Sequence, residues 1–475
     1  MSCLPSSAAP DNGRGGGGRG AVGEAKMERR CQFWLPNKRR LCANAPLPSS
    51  RFCGNHNPSP RVPCPIDPSH SVLHENLESH IKRCPLRKQT QALESQPYYS
   101  KGINSCGGDG DLEEENVGSA AKRRAIFKLS VTEFHDLVKK IKSIHSAVVE
   151  GLKDSYVVPN ACDKWLKQQV DRRLPYQEKH VLQQASILGN MEQLGILRKP
   201  AKESNDVVCG ECELSDGLDR EEREVPAVVE FGAGRGYLTH MLADCYGIRK
   251  VFLVERKSYK LKADRTLRQS QSIILERLRI DIEDLNLHAV ESLRGIPYLA
   301  IGKHLCGPAT DLTMRCCLTV QYNQNKGGFS SNSYLQGLAL ATCCHHLCRW
   351  KHYSNTKFLM DRGITKDDFH AMTWFSSWAV DADHSYELSN MVDGLHLNTS
   401  EPNEPDLEDR GVEEAIRNMP AVDRAILGFM CKEIIDTGRL LWLREHGLDA
   451  QLVKYVSSNI SPENHLLIAK SRFKL

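Results

Sequence analysis

The chain has 475 residues, 40% of them hydrophobic and 26% charged, with a formal net charge of +4. That length holds one large domain plus smaller modules. No run of about 18 apolar residues occurs, which argues against a membrane-spanning helix, and the Gly/Ser/Pro/Arg-rich start lacks the apolar core of a secretory signal. Eighteen cysteines without an export signal then read as reduced thiols and metal ligands in a soluble intracellular protein of the nucleus or cytoplasm.

Residues 1–26, almost all Gly and Arg between 13 and 20, are expected to be a disordered tail. Two cysteine–histidine clusters follow. Cys31, Cys42, Cys53 and His56 make the first, within 27–58. Cys64, His70, His80 and Cys84 make the second, within 60–88; His74 also lies inside it, but the spacing favours His70. Each cluster offers four soft or borderline ligands, the number a closed tetrahedral zinc site requires, so two structural zinc ions are expected. Between residues 26 and 88 there are twelve Lys/Arg and four Asp/Glu, a balance of +8 that leaves −4 on the rest of the chain. Positive charge gathered on the cysteine-rich segment suits a phosphate-bearing partner.

The polar, acidic stretch of 89–129 reads as a linker, giving way to a helix near Ser130. In that helix Phe134, Leu137, Val138, Ile141, Ile144, His145 and Val148 recur at helical spacing, without the persistence of a long coiled coil. A second helix spans 176–197, and an acidic insert at 203–224 carries Cys209 and Cys212. Strands then alternate with helices. Strands fall at 227–231 and 250–255, with a short strand or turn from 280, and further strands at 298–302 and 337–342. Helices fall at 237–245, 258–268 and 309–317. A second acidic insert, 390–414, precedes a long helix at 422–445 and two closing strands at 450–457 and 465–471. The alternation predicts an open α/β sheet for 130–475, of the Rossmann-like kind whose last strand runs antiparallel.

A Gly-rich turn joins the first strand of that series to its helix: Glu230, Gly232, Gly234 and Gly236 alternate with other residues. Glycines there let backbone pass close to a ligand at positive φ. The third glycine comes one residue early for a dinucleotide fingerprint. A carboxylate at the strand end would repel phosphates, whereas it suits a phosphate-free cation such as S-adenosylmethionine. Glu255, ending the next strand, is placed to accept ribose hydroxyls, and Asp281 with Ile282 to meet the adenine.

Open α/β sheets place ligands at the carboxyl edge of their strands. Lys303 and His304 follow the strand at 298–302 and face the expected point of transfer. They are the candidates for electrostatic stabilisation and proton removal, respectively. The segment from Cys343 through Cys344, His345 and His346 to Cys348 has three readings: a wall of the substrate pocket, strand-end packing, or a metal site. A nucleophilic cysteine would implicate Cys306 or Cys344.

Taken together, the two clusters and the Glu-Phe-Gly-Ala-Gly-Arg-Gly and Lys-His-Leu-Cys-Gly motifs resemble the eukaryotic tRNA 2′-O-methyltransferases that modify the ribose at position four of the acceptor stem. The resemblance runs from about residue 28 to the end. The second cluster is also similar to the RNA-binding finger of a minor-spliceosome protein. The resemblance implies a class I methyltransferase sheet behind two small zinc fingers, S-adenosylmethionine and zinc as cofactors, and a tRNA acceptor stem as partner. It implies tRNAs for glycine, proline and, in some members, histidine. It assigns no catalytic base and no protein partner. Two other readings stand beside it: a zinc-finger RNA-binding scaffold with a non-catalytic methyltransferase fold, and a methyltransferase with a different acceptor.

Overall fold

The structure, a computed structural model, describes residues 30–56, 61–105, 118–167, 176–198, 227–257, 273–318, 322–323, 328–329, 334–381 and 411–472. The expected tail at 1–26, the helix at 258–268, the insert at 203–224 with its cysteine pair, and most of the insert at 390–414 lie outside the described residues. The last residues of that second insert open the helix Val412–Asn418. The chain divides into two compact units, Met1–Ser95 and Gln96–Leu475.

In the larger unit eight strands form one sheet. We label them β1 (Lys153–Asp154), β2 (Ala227–Phe231), β3 (Lys250–Val254), β4 (Ile274–Leu278), β5 (Tyr298–Cys306), β6 (Leu335–Cys343), β7 (Leu448–Lys454) and β8 (His465–Ser471). Their spatial order is β1-β7-β8-β6-β5-β2-β3-β4. Neighbours from β6 to β4 pair in parallel, and β8 alone runs antiparallel, between β6 and β7. Every residue of β2 is buried, as expected of a parallel strand covered on both faces, where an unbroken apolar run replaces alternation.

The helices used below are α1 (Ser119–Ile126), α2 (Val131–Val148), α3 (Glu178–Gln193), α4 (Tyr237–Tyr246), α5 (Pro308–Leu318), α6 (Lys366–Phe375) and α7 (Ala421–Glu445). Alternate strand residues Val228, Val251, Leu253, Leu299, Ile301 and Ala339 share one core with side chains of α3 and α4. A second core joins α2, α6 and α7. α2 starts at a capping box: Ser130 Oγ accepts from Glu133 N (3.2 Å), and the Glu133 carboxylate accepts from Ser130 N (2.8 Å). Its stripe from Phe134 to Ile144 is buried in that second core. Each such side chain contributes about 1.5–3 kcal/mol, so the stripe docks within its own unit and is not left for a coiled-coil partner.

The stretch expected as a linker from 89 to 129 is largely ordered where it is described. The helix Pro85–Glu94 runs into it, and α1 ends within it. Between them, Ser100 N donates to Asp284 O (2.9 Å), and the buried Asn104 amide donates to the carbonyls of Ile282 (2.6 Å) and Leu285 (2.8 Å). Polar composition suggested a solvated linker; the partners that satisfy those polar groups come from a loop far along the chain.

Candidate functional site

At the carboxyl edge of the sheet lies a cavity of about 970 Å³. Glu230, Gly232, Gly234, Glu255, Asp281, Ile282, Lys303 and His304 all line it. Gly236 does not; it holds φ +74° as the N-cap of α4, with Leu253 against the place a Cβ would occupy (3.1 Å). Gly232 and Gly234 take φ +60° and +51°, a region costing other L-residues about 1–2 kcal/mol. Glu255 accepts from Gly234 N (3.1 Å) and Lys257 N (2.9 Å), and Arg277 donates to Gly234 O (3.1 Å). A carboxylate and a guanidinium thus hold the turn from both sides. Asp281 accepts from Glu283 N (3.2 Å) and pairs with Arg256 (3.1 Å).

Glu230 is buried and accepts from both the Thr239 backbone N–H (3.1 Å) and its hydroxyl. Desolvation pushes its pKa up to about 7, against the two Thr239 bonds and the positive charges of Arg277 and Lys303. A carboxylate held so poorly solvated gains from a cation beside it. That, with the glycine cradle, fits the amino end of S-adenosylmethionine.

Lys303 and His304 do not sit in a loop after the strand. They belong to β5, at an irregularity in its ladder. Gly302 pairs with Leu340, but Leu305 pairs with Thr342, so β5 carries one residue more than β6 between the two pairs. Such a bulge re-aims side chains. Lys303 turns inward and is buried, while His304 stays exposed. Lys303 Nζ lies 3.2 Å from His180 Nδ1 on α3. Burial pushes the ammonium down to about 8, opposed by Glu230. His304 is lowered to about 4 by desolvation in the cavity, then by Lys303 and His180. It is therefore a neutral imidazole at physiological pH, next to a cation. The His180 ring stands edge-on to it, with centroids 6.4 Å apart.

The segment from Cys343 to Cys348 divides its residues among different tasks. His345 points into the protein: its Nε2 donates to Asp436 (2.9 Å), which also accepts from Thr342 (2.8 Å) and His465 (2.9 Å). The same aspartate pairs with the fully buried Arg439 (2.9 Å), whose guanidinium reaches Asp311 (2.6 Å) and Cys348 Sγ (3.2 Å). This network ties α7 to α5 and to the end of β6, and His345 within it is structural. His346 and Leu347 line the cavity, and so does Cys306 from β5. Cys343 and Cys344 approach Cys306 instead, at Sγ–Sγ distances of 3.7 and 3.3 Å.

In the smaller unit the ligand atoms of Cys31, Cys42, Cys53 and His56 all lie within 4.8 Å of one another, and so do those of Cys64, His70, His80 and Cys84. Cys31 and Cys53 Sγ are each 3.4 Å from His56 Nδ1. In the second cluster a hairpin, Arg61–Pro63 with Ser71–Leu73, presents Cys64 and His70. The helix Leu77–Arg83 presents His80, and Cys84 follows as its C-cap. Asp67 Oδ2 lies 3.2 Å from His70 Nδ1, the carboxylate–histidine arrangement that orients a metal-bound imidazole. His74 is exposed and outside the group. These donor sets fit tetrahedral zinc.

His180, Arg277 and Thr239 are site residues that the sequence did not reveal. Thr239 sits nine residues after Glu230, on the first turn of the helix, and could have been read as its partner. His180 carries no such signal: it lies 123 residues from Lys303 on a helix read for its apolar face.

Family models match three parts of the chain: "Methyltransferase TRM13" over residues 182–470, "CCCH zinc finger in TRM13 protein" over 29–57, and "U11-48K-like CHHC zinc finger" over 61–85. The chain is similar to the tRNA:m(4)X modification enzyme TRM13 of Oryza sativa subsp. japonica, with 56% identity over 49% of this chain and 91% of that protein. It is also similar to the Homo sapiens tRNA:m(4)X modification enzyme TRM13 homolog, with 29% identity over 93% and 94% of the two chains. A solved structure, coclaurine N-methyltransferase bound to N-methylheliamine and SAH, matches at 14% identity over 74% of this chain and 93% of that one, with a TM-score of 0.25, too distant a likeness to bear on the ligand. A family model spanning more than half of the chain, and a rice relative covered over nine-tenths of its length, show that this chain belongs to the TRM13 methyltransferase family.

Proposed function

We propose that the protein transfers a methyl group from S-adenosylmethionine to the ribose 2′-hydroxyl of nucleotide four in a tRNA acceptor stem. The observation that carries this reading is the bulge in β5, which sets a buried cation, Lys303, and a neutral imidazole, His304, beside each other in the cavity lined by the glycine turn. The tRNA class follows from the names of the relatives, tRNA:m(4)X modification enzymes. The ribose position and the species, tRNAs for glycine, proline or histidine, follow from the motif resemblance.

Glu230 would hold the amino group of the cofactor, the glycine turn would leave room for its carboxyl end, Glu255 would hold the ribose hydroxyls, and Asp281 with Ile282 the adenine. When bound, S-adenosylmethionine supplies a methyl on a sulfonium primed to leave. The protein's remaining task is alignment of a hydroxyl with that methyl. His304, neutral and exposed at the cavity mouth, takes the hydroxyl proton. Lys303 stabilises the developing oxyanion, its ammonium anchored by donation to His180 Nδ1. The basic side chains of Arg235, Arg256, Lys257 and Arg349 line the same cavity and suit the flanking phosphates.

The finger unit, with zinc at each of its two ligand sets, binds duplex RNA through phosphates and 2′-hydroxyls, because an A-form stem is read mainly by shape. Lys38, Arg39, Arg40, Lys82, Arg83, Arg87 and Lys88 are all exposed. Methyl transfer from labelled S-adenosylmethionine to unmodified tRNA transcripts, with nuclease mapping of the product, tests the reading. Label on the 2′-oxygen of nucleotide four supports it. Label on a base overturns the acceptor, and absence of both transfer and cofactor binding supports a non-catalytic scaffold.

A further inference from the structure

Outside the two finger clusters, the described residues hold a third group of close metal-ligating atoms: the thiols of Cys306, Cys343 and Cys344, all within 4.8 Å of one another. Two adjacent parallel strands deliver them. Cys306 ends β5 and pairs with Cys343, which ends β6. Cys344 then takes φ +51°, one of two non-glycine residues at positive φ among those described. Such a conformation persists where surrounding structure over-determines it. Here it turns the thiol next to Cys343 back toward Cys306, to an Sγ–Sγ distance of 3.3 Å.

We infer that these three cysteines form a third zinc site, at the mouth of the cavity. The Sγ–Sγ separations of 3.3 and 3.7 Å resemble the 3.9 Å between Cys64 and Cys84 in the finger. They are close to the spacing that thiolates about 2.3 Å from one tetrahedral zinc would take. Thiolates select soft or borderline cations over magnesium or calcium. Three protein ligands leave a fourth position open, unlike the four-ligand sets of the fingers. Cys306 lines the cavity and is exposed, so the site has an entry path. It does not depend on which nucleotide is methylated.

The test counts zinc in the full-length protein by elemental analysis, comparing wild type with the Cys306→Ser/Cys344→Ser double variant. Cys64→Ser, which removes a finger ligand, calibrates the loss of a single ion. The double variant is expected to lose one ion per chain while its finger cysteines stay protected from alkylation. An unchanged count overturns the site. A second measurement avoids folding effects of substitution. In wild-type protein Cys306 is expected to resist iodoacetamide until a chelator is added. Equal labelling of Cys306 with and without chelator, or its recovery as a disulfide with Cys344 from protein kept under reducing conditions, overturns the proposal.

Discussion

Lys303→Met keeps most of the length of the side chain and deletes its charge, and the structure predicts opposite effects on stability and turnover. Burial lowers the Lys303 pKa from 10.5 to about 8. At about 1.36 kcal/mol per unit, holding the cation in the fold costs about 3 kcal/mol at about pH 7. The attraction to Glu230 is already contained in that figure. The substitution forfeits the hydrogen bond to His180, worth about 1 kcal/mol, so a net gain of about 2 kcal/mol is expected. The folded pKa lies below the unfolded one, so between them the unfolded chain binds more protons and wild-type stability rises with pH. The advantage of the variant should therefore shrink to near zero by about pH 9.5. Urea unfolding at both pH values measures this, and single-turnover methyl transfer at neutral pH should fall by about a hundredfold to a thousandfold. A variant less stable than wild type at neutral pH, or a stability difference independent of pH, refutes the buried-cation argument. Unchanged turnover removes the electrostatic role.

Further outcomes are expected at four places in the chain. His304→Ala should lower turnover by about a hundredfold or more while leaving S-adenosylmethionine affinity intact by calorimetry. Because desolvation in the cavity, with Lys303 and His180, lowers its pKa to about 4, wild-type kcat at saturating cofactor should stay flat from about pH 7, where Lys303 is mostly protonated, down to about pH 5, and an acid limb near the ordinary histidine value would assign the base elsewhere. Gly232→Ala places a Cβ at φ +60°, 3.1 Å from Leu305 and 3.4 Å from the His304 carbonyl. It should cost about 1–2 kcal/mol and weaken cofactor binding, and wild-type affinity would deny the cradle. Asp67→Ala removes the carboxylate behind His70 and should lower zinc affinity by about tenfold to a hundredfold in chelator competition; no change would place Asp67 outside the site. Replacing Lys38, Arg39 and Arg40 with alanine should reduce the slope of log affinity against log salt by about one for each phosphate no longer neutralised, and an unaltered slope would move the RNA surface elsewhere.

Much of this protein is readable from local pattern, for reasons that are themselves local. A parallel strand buried on both faces declares itself as an apolar run, so 227–231 matches to the residue. A strand-to-helix turn at positive φ demands glycines, so the Gly-rich turn stands out. Four ligands per cluster follow from tetrahedral zinc, and the choice of His70 over His74 follows from spacing alone. Tertiary structure decided what depends on residues meeting across the chain. The bulge in β5 exists only relative to β6, and the burial of Lys303 beside the exposed His304 appears only in the folded chain. His180 reaches Lys303 because α3 packs on the sheet against β6 and β8, which no spacing encodes. The Cys-Cys-His-His run looks like one motif, yet a left-handed residue at Cys344 splits it, sending two thiols toward Cys306 and His345 toward Asp436. Sequence records which groups are present at short range; burial and cross-strand register, which set their charge and direction, arise only when the chain is folded.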